Sequence, residues 1–446
     1  MTKNYIAIVT GARIKIGFQT CLKLLRAGAI VIATTRFPNS AVQAYMKEKD
    51  SRIWSSRLHL YGLDLRDVIG IEAFVAFVAK KYGKIDIIIN NACQTVRRPV
   101  GYYRPVVEEE MRLWNIYKNK KMEEGKILLM GCQEYETFRR KKSQLSDEKL
   151  EGIQQNCIMN GEYSHEKINE TIDSCETSEN VDEAKKCSPD KNTMIMSLPK
   201  SDPDNLREIP RNKYSDYENT GICHSALMSQ TILVPDDANP LSSAATAVKD
   251  VNNQALDIRR TNSWVLKLEQ ISTPEILETL IINAVAPFIL NSRLIPLMMP
   301  PTDLNGNTSL DATSSISSRE KFIINVSAME GKFYRYKMPN HPHTNMAKAA
   351  LNMMTRTSSE DLAKKYNIYM NSVDTGWIND ENPLERASKT AKTNHFQTPI
   401  DEIDAAARIL DPIFSVVGDR QKSNGGKKML HQMYGKFFKD YKESEW

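Results

Sequence analysis

The chain has 446 residues, of which 41% are hydrophobic and 26% charged, and its formal net charge is +5. This length suits one large domain or two ordinary ones, and the small charge excess argues against a nucleic-acid partner. The sequence contains no run of about 18 apolar residues, so it does not predict a membrane span. The first residues lack the pattern of a secretory leader. Seven scattered cysteines without a Cys-x-x-Cys pair argue against a disulfide framework and a structural zinc site. We therefore expect no metal and a reduced, cytoplasmic setting.

The chain begins with a strand, a glycine turn and a helix. Ile6–Val9 is an apolar run, and helical periodicity continues from Ile16 to Ala27. The turn between them reads Thr10-Gly11-Ala12-Arg13-Ile14-Lys15-Ile16-Gly17. Glycine lets the backbone approach a pyrophosphate, and a helix N-terminus offers unpaired N–H groups and positive potential. The sequence therefore predicts a nucleotide-phosphate site at this turn.

Strands and helices alternate up to residue 100. The further predicted elements are the strands Ile30–Thr34, His59–Leu63 and Ile85–Ile89, and the helices Val42–Lys49 and Ile71–Lys81, with a break at Phe37-Pro38-Asn39. Strands buried on both faces are continuous aliphatic runs. Repeated β-α-β units predict a Rossmann-like α/β fold, a doubly wound parallel sheet with helices on both faces.

A polar stretch then interrupts the pattern. Residues 101–256 are predicted to be an insertion, largely disordered around 140–250, because polar and charged residues dominate there and aliphatic residues are few. The insertion is either a tolerated surface loop or a segment that binds a partner or covers the site. A single domain would then consist of residues 1–100 and 257–446.

Regular structure is predicted again after residue 257. Ser272-Thr273-Pro274-Glu275 has a hydroxyl cap, a proline at the first helical position and an acid in the first turn, which indicates a helix start. The predicted elements that follow are a helix to Met298 kinked at Pro287, the strand Lys321–Ser327, the helix Met346–Lys365, the strand Ile368–Val373 and the helix Pro399–Ile413.

The order of these motifs resembles the short-chain dehydrogenase/reductase superfamily over residues 4–100 and 257–418. The glycine turn, Asn90-Asn91-Ala92-Cys93 and Met346-Ala347-Lys348 carry the resemblance, although Lys15 replaces the central glycine of the turn. Cys93 replaces a further glycine, and we interpret it as a small buried thiol. The resemblance implies a Rossmann sheet, an NAD or NADP cofactor, and hydride transfer between the nicotinamide and a carbonyl or alcohol.

The same resemblance implies which residues contact the cofactor. They are Gly11, Ile16, Gly17, Asp64, Leu65, Asn90, Asn91, Ala92, Lys348, Thr375 and Gly376. The second strand ends in Arg36 rather than in an acid, and arginine there accommodates a 2′-phosphate. Arg13 and Lys15 add positive charge in the turn, so NADP is favoured over NAD.

The catalytic set that the resemblance implies is incomplete. Asn283 and Lys348 stand at the family's Asn and Lys positions, and Ser327 lies beside the catalytic serine position, which holds Ala328. Thr344 occupies the tyrosine position, and its hydroxyl is far too weak an acid to replace a phenol. His343, Tyr334 or Tyr336 is then the expected proton donor, and His341 is a further imidazole nearby.

Two functions remain open. The leading hypothesis is an NADP-dependent oxidoreductase acting on a carbonyl or hydroxyl group of a small molecule. The alternative is a catalytically impaired cofactor-binding protein that serves as a scaffold or redox sensor, because a fold does not dictate its function. Hydride transfer to any substrate would discriminate between them. Members of the family often pair through long helices, which implies a homodimer or homotetramer.

Overall fold

The structure is a computed structural model. It describes residues 2–118, 129–142, 222–234, 237, 250, 255–299, 319–333, 336–379, 381–395, 398–422 and 433–446. The compact unit formed by Met1–Arg139 and Tyr214–Trp446 contains nearly all of them. Residues 143–221, where most of the predicted disorder falls, lie outside the described residues.

The described strands form one sheet. They are β1 (Ile6–Thr10), β2 (Ile30–Thr35), β3 (Leu58–Gly62), β4 (Ile87–Asn90), β5 (Lys321–Ser327), β6 (Ile368–Asp374), β7 (Phe437–Lys439) and β8 (Lys442–Ser444). Their order is β3-β2-β1-β4-β5-β6-β7-β8, parallel except for β8 against β7. The predicted parallel α/β sheet is therefore confirmed. The strand order reverses between β1 and β4, which leaves a crevice at their carboxyl ends.

Helices cover both faces of the sheet. They are α1 (Lys15–Arg26), α2 (Pro38–Met46), α3 (Ser51–Trp54), α4 (Val68–Tyr82), α5 (Val100–Lys118), α6 (residues 129–142), α7 (His224–Leu227), α8 (Thr273–Leu280), α9 (Ala286–Met298), α10 (Pro342–Tyr366), α11 (Leu384–Asn394) and α12 (Glu402–Lys422). Ala7 and Val9 of β1 pack with residues of α1 and α12, while Ile6 and Ile8 pack with residues of α4 and α9. This alternation follows from the two-residue period of a strand.

Helix α2 begins where the sequence predicted a break. Pro38 is its first residue, a position where the missing proline N–H costs nothing. The buried Glu110 of α5 accepts hydrogen bonds from the backbone N–H groups of Asn39 (2.9 Å) and Ser40 (2.6 Å). A carboxylate 71 residues away thus caps the helix, which local sequence does not reveal.

The long helix after Ser272 begins as predicted, with the Ser272 hydroxyl accepting from the Glu275 N–H at 3.4 Å. The predicted kink at Pro287 is replaced by a π-helical turn, Ile281–Val285, that joins α8 to α9. Pro287 lies in the first turn of α9, where no partner is needed for its nitrogen. By length and composition alone, the helical segment Thr273–Met298 is a candidate membrane span. In this structure the inward residues of α9 are buried in the hydrophobic core beside the sheet.

Three helices fall within or beside the predicted insertion. Leu113 of α5 and Cys132 of α6 are buried in the same cluster as residues of β1 and α1. Ala226 of α7 packs with Phe37 and Val107. Of these described parts of residues 101–256, α6 and α7 lie against β3, while α5 packs against α2.

Candidate active site

A groove of about 320 Å³ opens at the carboxyl ends of β1, β2 and β4. The predicted cofactor residues that line it are Gly11, Arg13, Lys15, Ile16, Gly17, Arg36, Asp64, Leu65, Asn91 and Ala92. Cys93 also lines the groove and is exposed, so its interpretation as a buried thiol is wrong. The residue follows the end of β4, where the chain turns toward the open side of the sheet.

The glycine turn is held against the end of β4. The Thr10 hydroxyl accepts from the N–H groups of Asn91 and Ala92, both at 3.0 Å, and the Asn91 amide donates to the Thr10 carbonyl at 2.9 Å. Gly11 has φ +70°, and a Cβ on Gly17 would lie 2.3 Å from the Gly11 carbonyl oxygen. Both glycines are therefore required by the geometry of the turn itself.

The N-terminus of α1 faces the groove. Among the residues that the structure describes, no side chain caps this helix, and its first turn holds no acidic residue. Lys15 takes φ +53°, the left-handed conformation that explains why glycine is usual at this position. Its ammonium lies 3.1 Å from the Asp250 carboxylate and 3.4 Å from the Asn379 side-chain oxygen. The helix end thus offers an anion both backbone N–H groups and a nearby positive charge.

Two guanidinium groups flank the aromatic ring that follows β2. Arg13 and Arg36 each lie 5.4 Å from the centroid of the Phe37 ring, and Arg36 lies 4.4 Å from that of Tyr103. Burial lowers the pKa of Arg13, and the nearby Glu110 opposes that shift. Stacking on ring faces leaves the edges of a guanidinium available for an oxyanion.

Asp64 lies at the β3 side of the groove, in a buried ion network. Burial would raise its pKa, but Arg66, whose guanidinium is 2.7 Å away, holds the pKa below its usual range. Arg66 also contacts Glu278 of α8 at 3.2 Å, and Glu278 accepts from Arg97 (3.1 Å) and Gln94 (2.9 Å). Sequence reasoning missed Glu278 and Gln94, because their partners come from distant parts of the chain.

Four of the predicted catalytic residues are buried and make hydrogen bonds to backbone carbonyls or to another buried side chain; they are Asn283, Ser327, Thr344 and Lys348. The Asn283 amide, in the π-helical turn, donates to the carbonyls of Gln94 and Thr279, both at 2.8 Å. Its side-chain oxygen is buried with no partner among the described residues. The Lys348 ammonium donates to the Val326 carbonyl at 3.0 Å.

Ser327 and Thr344 make similar internal contacts. The Ser327 hydroxyl donates to the Asn352 side-chain oxygen at 2.6 Å, and the Thr344 hydroxyl donates to the Thr95 carbonyl at 3.4 Å. Asn283 and Thr344 are thereby brought to the same segment after β4, next to the groove.

The candidate proton donors differ in position. His343 is 1% exposed, and burial together with His341 lowers its pKa to about 4, so its ring is neutral at pH 7. His341 stacks on Trp264 with ring centroids 3.9 Å apart. Tyr336 is 88% exposed and takes no part in the buried set, while Tyr334 lies outside the described residues.

Four predicted cofactor residues do not line the groove: Asn90, Lys348, Thr375 and Gly376. Asn90 is buried, and its amide donates to Asn291 (2.9 Å) and Asn325 (2.8 Å), which joins β4 to α9 and β5. Thr375 and Gly376 follow β6; Gly376 has φ +86°, and a Cβ there would lie 2.2 Å from Ile400. Among the described residues, no group of three His, Cys, Asp or Glu side chains is placed to hold a metal ion.

Comparison with known proteins gives the same family as the motifs. Residues 5–112 match the family model for short chain dehydrogenases. An uncharacterised protein of Acanthamoeba polyphaga mimivirus is 26% identical over 92% of this chain and 62% of its own length. (−)-Isopiperitenone reductase of Mentha piperita is 29% identical over 37% of this chain and 50% of its own length.

A third relative, carbonyl reductase (NADPH) 1 of Sus scrofa, is 36% identical over 20% of this chain and 29% of its own length. The chain therefore spans between 29% and 62% of the length of these relatives. The glycine turn and the reversal of strand order agree with these matches, which show that residues 5–112 of this chain are similar to short chain dehydrogenases.

Proposed function

We propose that the protein is an NADP-dependent oxidoreductase that transfers a hydride between the nicotinamide and a carbonyl or hydroxyl group of a small molecule. The observation that carries this proposal is the groove at the reversal of strand order, where the uncapped α1 meets the guanidinium groups of Arg13 and Arg36. The names of the mint and pig relatives, both reductases, support the same chemistry for this chain.

Each end of the cofactor would meet a different part of the groove. The backbone around Gly11 and the N-terminus of α1 would hold the pyrophosphate, and Arg13 and Arg36 would bind the 2′-phosphate. Lys348 lies outside the groove, with its ammonium on the Val326 carbonyl, and would hold the nicotinamide ribose where the cofactor extends beyond the groove. When bound, the cofactor supplies or accepts the hydride; the protein residues orient it and handle the proton.

The proton step distinguishes this chain from its family. A histidine with a pKa of about 4 is almost wholly neutral at pH 7. If His343 donates the proton as an imidazolium, turnover should increase as the pH falls toward 4. His343→Gln should then abolish the increase, and a rate that follows the same pH profile in both proteins would remove His343 from the mechanism.

One observation favours the alternative, a cofactor-binding protein without turnover. The residue at the tyrosine position, Thr344, directs its hydroxyl to the Thr95 carbonyl instead of offering a phenol. We would titrate the protein with NADPH and NADH by fluorescence and thermal shift, then follow NADPH oxidation with a panel of aldehydes and ketones. Binding with turnover supports the oxidoreductase, and binding without turnover supports the alternative. Absence of binding at millimolar cofactor would overturn both.

We propose further that the domain is split by the insertion at residues 101–256 and that it pairs as a homodimer in the cytoplasm. An exposed apolar strip supports the pairing. Its members are Leu277, Val285 and Phe288 on α8–α9, and Met346 and Met353 on α10, between 41% and 58% exposed. Their helical spacing puts each set on one side of its helix.

A further inference from the structure

Two buried cysteines lie against each other behind the adenosine side of the groove. The Sγ atoms of Cys132 and Cys223 are 3.2 Å apart, and the side chains are 2% and 9% exposed. Both are thiols in this structure. A disulfide bond needs a sulfur–sulfur distance of about 2.05 Å, so the two sulfurs would have to approach each other by roughly 1 Å to form one.

The two sulfurs are held by elements that are anchored separately. Cys132 lies in α6, which is fixed to α4 by the Tyr135 hydroxyl donating to the Gly70 carbonyl at 2.9 Å. Cys223 is the N-cap of α7, which is fixed to β2 by the Ser225 hydroxyl donating to the Arg36 carbonyl at 2.9 Å. The proximity of the sulfurs therefore follows from two independent contacts, one with α4 and one with the residue that follows β2.

Cys223 also lies directly beside the end of β3. A Cβ built on Gly62 would be 2.9 Å from the Cys223 Cβ and 2.8 Å from the Ser225 hydroxyl. The segment that carries this cysteine is thus packed behind Arg36, the arginine assigned above to the 2′-phosphate. A bond at this position would fix the wall of the groove at its adenosine end.

We propose that Cys132 and Cys223 are a reversible redox site, which a peroxide converts to a disulfide that fixes the adenosine-side wall. Cys223, the more exposed of the two, attacks one oxygen of hydrogen peroxide; its thiol becomes a sulfenic acid and one water leaves. The Cys132 sulfur then attacks the Cys223 sulfur, which forms the S–S bond and releases a second water. The two thiols lose two electrons and two hydrogens in total, and the peroxide is reduced.

The environment of the two cysteines should make their oxidation slow. The hydrogen bond with Cys132, together with burial, raises the pKa of Cys223, and the thiolate is the reactive form. Oxidation should therefore take longer than at the exposed Cys93 but end in a bond instead of a terminal acid. Cys21, which is fully buried, serves as an unreactive internal reference.

The test is peptide mapping of the full chain after treatment with hydrogen peroxide. Free thiols are alkylated under denaturing conditions before digestion. We expect a linked peptide that contains Cys132 and Cys223, lighter by two hydrogens than its parts and removed by dithiothreitol. Recovery of both residues as alkylated thiols after prolonged treatment, long past complete oxidation of Cys93, would overturn the proposal. So would pairing of either residue with a different cysteine.

Thermal unfolding provides the second measurement. The bond would close a long loop of the unfolded chain, so the midpoint of unfolding should rise by several degrees on oxidation. Cys132→Ser and Cys223→Ser are matched controls, because each retains Cys93 but cannot form the bond; their midpoints should not rise. An equal rise in either variant would assign the effect to another cysteine.

The effect on the groove is measured by NADPH titration, and this arm rests on the proposed function. A wall fixed by the disulfide should lower the Kd for NADPH by about threefold, because fewer residues of the groove would have to become ordered when NADPH binds. An unchanged Kd in the linked protein would overturn control of the groove by the bond. The mapping uses no cofactor, so a failure to bind NADPH in either redox state would count against the proposed function alone.

Discussion

In the proposed function, Arg36 is the residue on which the choice between NADP and NAD would depend. Replacing it by alanine removes a guanidinium from the 2′-phosphate while the rest of the groove keeps its shape. A hydrogen bond between charged groups contributes about 1.5–3 kcal/mol, so Arg36→Ala should weaken NADPH binding roughly 10- to 100-fold. NADH, which has no 2′-phosphate, should bind with an unchanged Kd.

Fluorescence titration with both cofactors checks this prediction. Arg104→Ala is the matched control, since Arg104 is an exposed arginine of α5 that does not line the groove. It should change neither affinity. An equal loss of NADPH and NADH affinity in Arg36→Ala would mean that the residue supports the fold and not the phosphate.

His343 should make stability depend on pH. Its pKa is lowered by burial from 6.5 to about 4, so between these values the unfolded chain binds the proton and the folded protein does not. The free energy of unfolding should therefore fall as the pH drops from 6.5 to 4, by about 1.4 kcal/mol per pH unit over this window. Urea titrations at a series of pH values measure the slope.

In His343→Gln this contribution is absent, and the pH dependence should be shallower over the same window. Carboxylates that titrate there contribute equally to both proteins, so the difference between the slopes isolates the histidine. Identical slopes would show that His343 has the same pKa in the folded and unfolded chain.

Local spacing predicted some residues of the site and missed others. Gly11, Gly17 and Asn91 were recognised because the turn and the end of β4 each carry a short motif. Glu278 was not recognised, since its partner Arg66 is 212 residues away and neither position has a distinctive neighbour. Buried pairings of this kind depend on the tertiary fold and leave no local signal.

Among the structural elements, the turn between β1 and α1 should not tolerate a side chain at Gly17, its last glycine. A Cβ on Gly17 would lie 2.3 Å from the Gly11 carbonyl and 2.6 Å from the Asn91 amide nitrogen. Gly17→Ala should push these groups apart, lower the free energy of unfolding by about 1–3 kcal/mol and weaken NADPH binding at least tenfold.

Gly83→Ala is the comparison for this variant. Gly83 ends α4 with φ +68°, but nothing lies within 4 Å of its missing Cβ, so only backbone strain is expected. That strain costs about 1–2 kcal/mol, and NADPH affinity should be unaffected. Chemical denaturation and cofactor titration of both variants make the test; equal NADPH affinity in the two would contradict it.

The elements themselves were predicted to different degrees. Strands β1–β6 are aliphatic runs because both of their faces are buried, and all six were predicted. β7 and β8 were missed, since each has three residues and only the Phe437-Phe438 side chains of β7 are buried. The beginning of α2 was missed because Glu110, and not a neighbour in sequence, caps it.

At the scale of the whole molecule, the apolar strip on α8–α9 and α10 should determine the oligomeric state. Phe288 is 58% exposed, and a charge there would be buried at an interface between two copies. Phe288→Glu should convert a dimer to a monomer, because an unpaired buried charge costs several kcal/mol. Sedimentation equilibrium at micromolar protein measures the mass.

Ile53→Glu is the control, since Ile53 is a 77% exposed apolar residue of α3, outside the strip. Its oligomeric mass should equal that of the unmodified chain. A monomer in all three proteins would show that the strip does not mediate pairing.

The overall architecture was predictable because a parallel sheet depends on repeated local units. The sequence showed the strands, the helices and the glycine or proline breaks between them one after another. Right-handed connections then leave few possible orders for the strands in the sheet. The packing of α5 on α2, and of α6 and α7 on β3, was not predictable, since their sequences are polar and their packing uses scattered residues such as Leu113 and Ala226.

The widened turn at Ile281–Val285 has a consequence for how this helix evolves. The π-helical turn contains one more residue than an α-helical turn. It therefore rotates α8 relative to α9 by roughly 100° compared with an uninterrupted α-helix. Deleting one residue there would leave α9 seated in the hydrophobic interior but swing Glu278 away from the arginines it neutralises. A length change of one amino acid in this stretch should therefore be far more damaging than most substitutions within it.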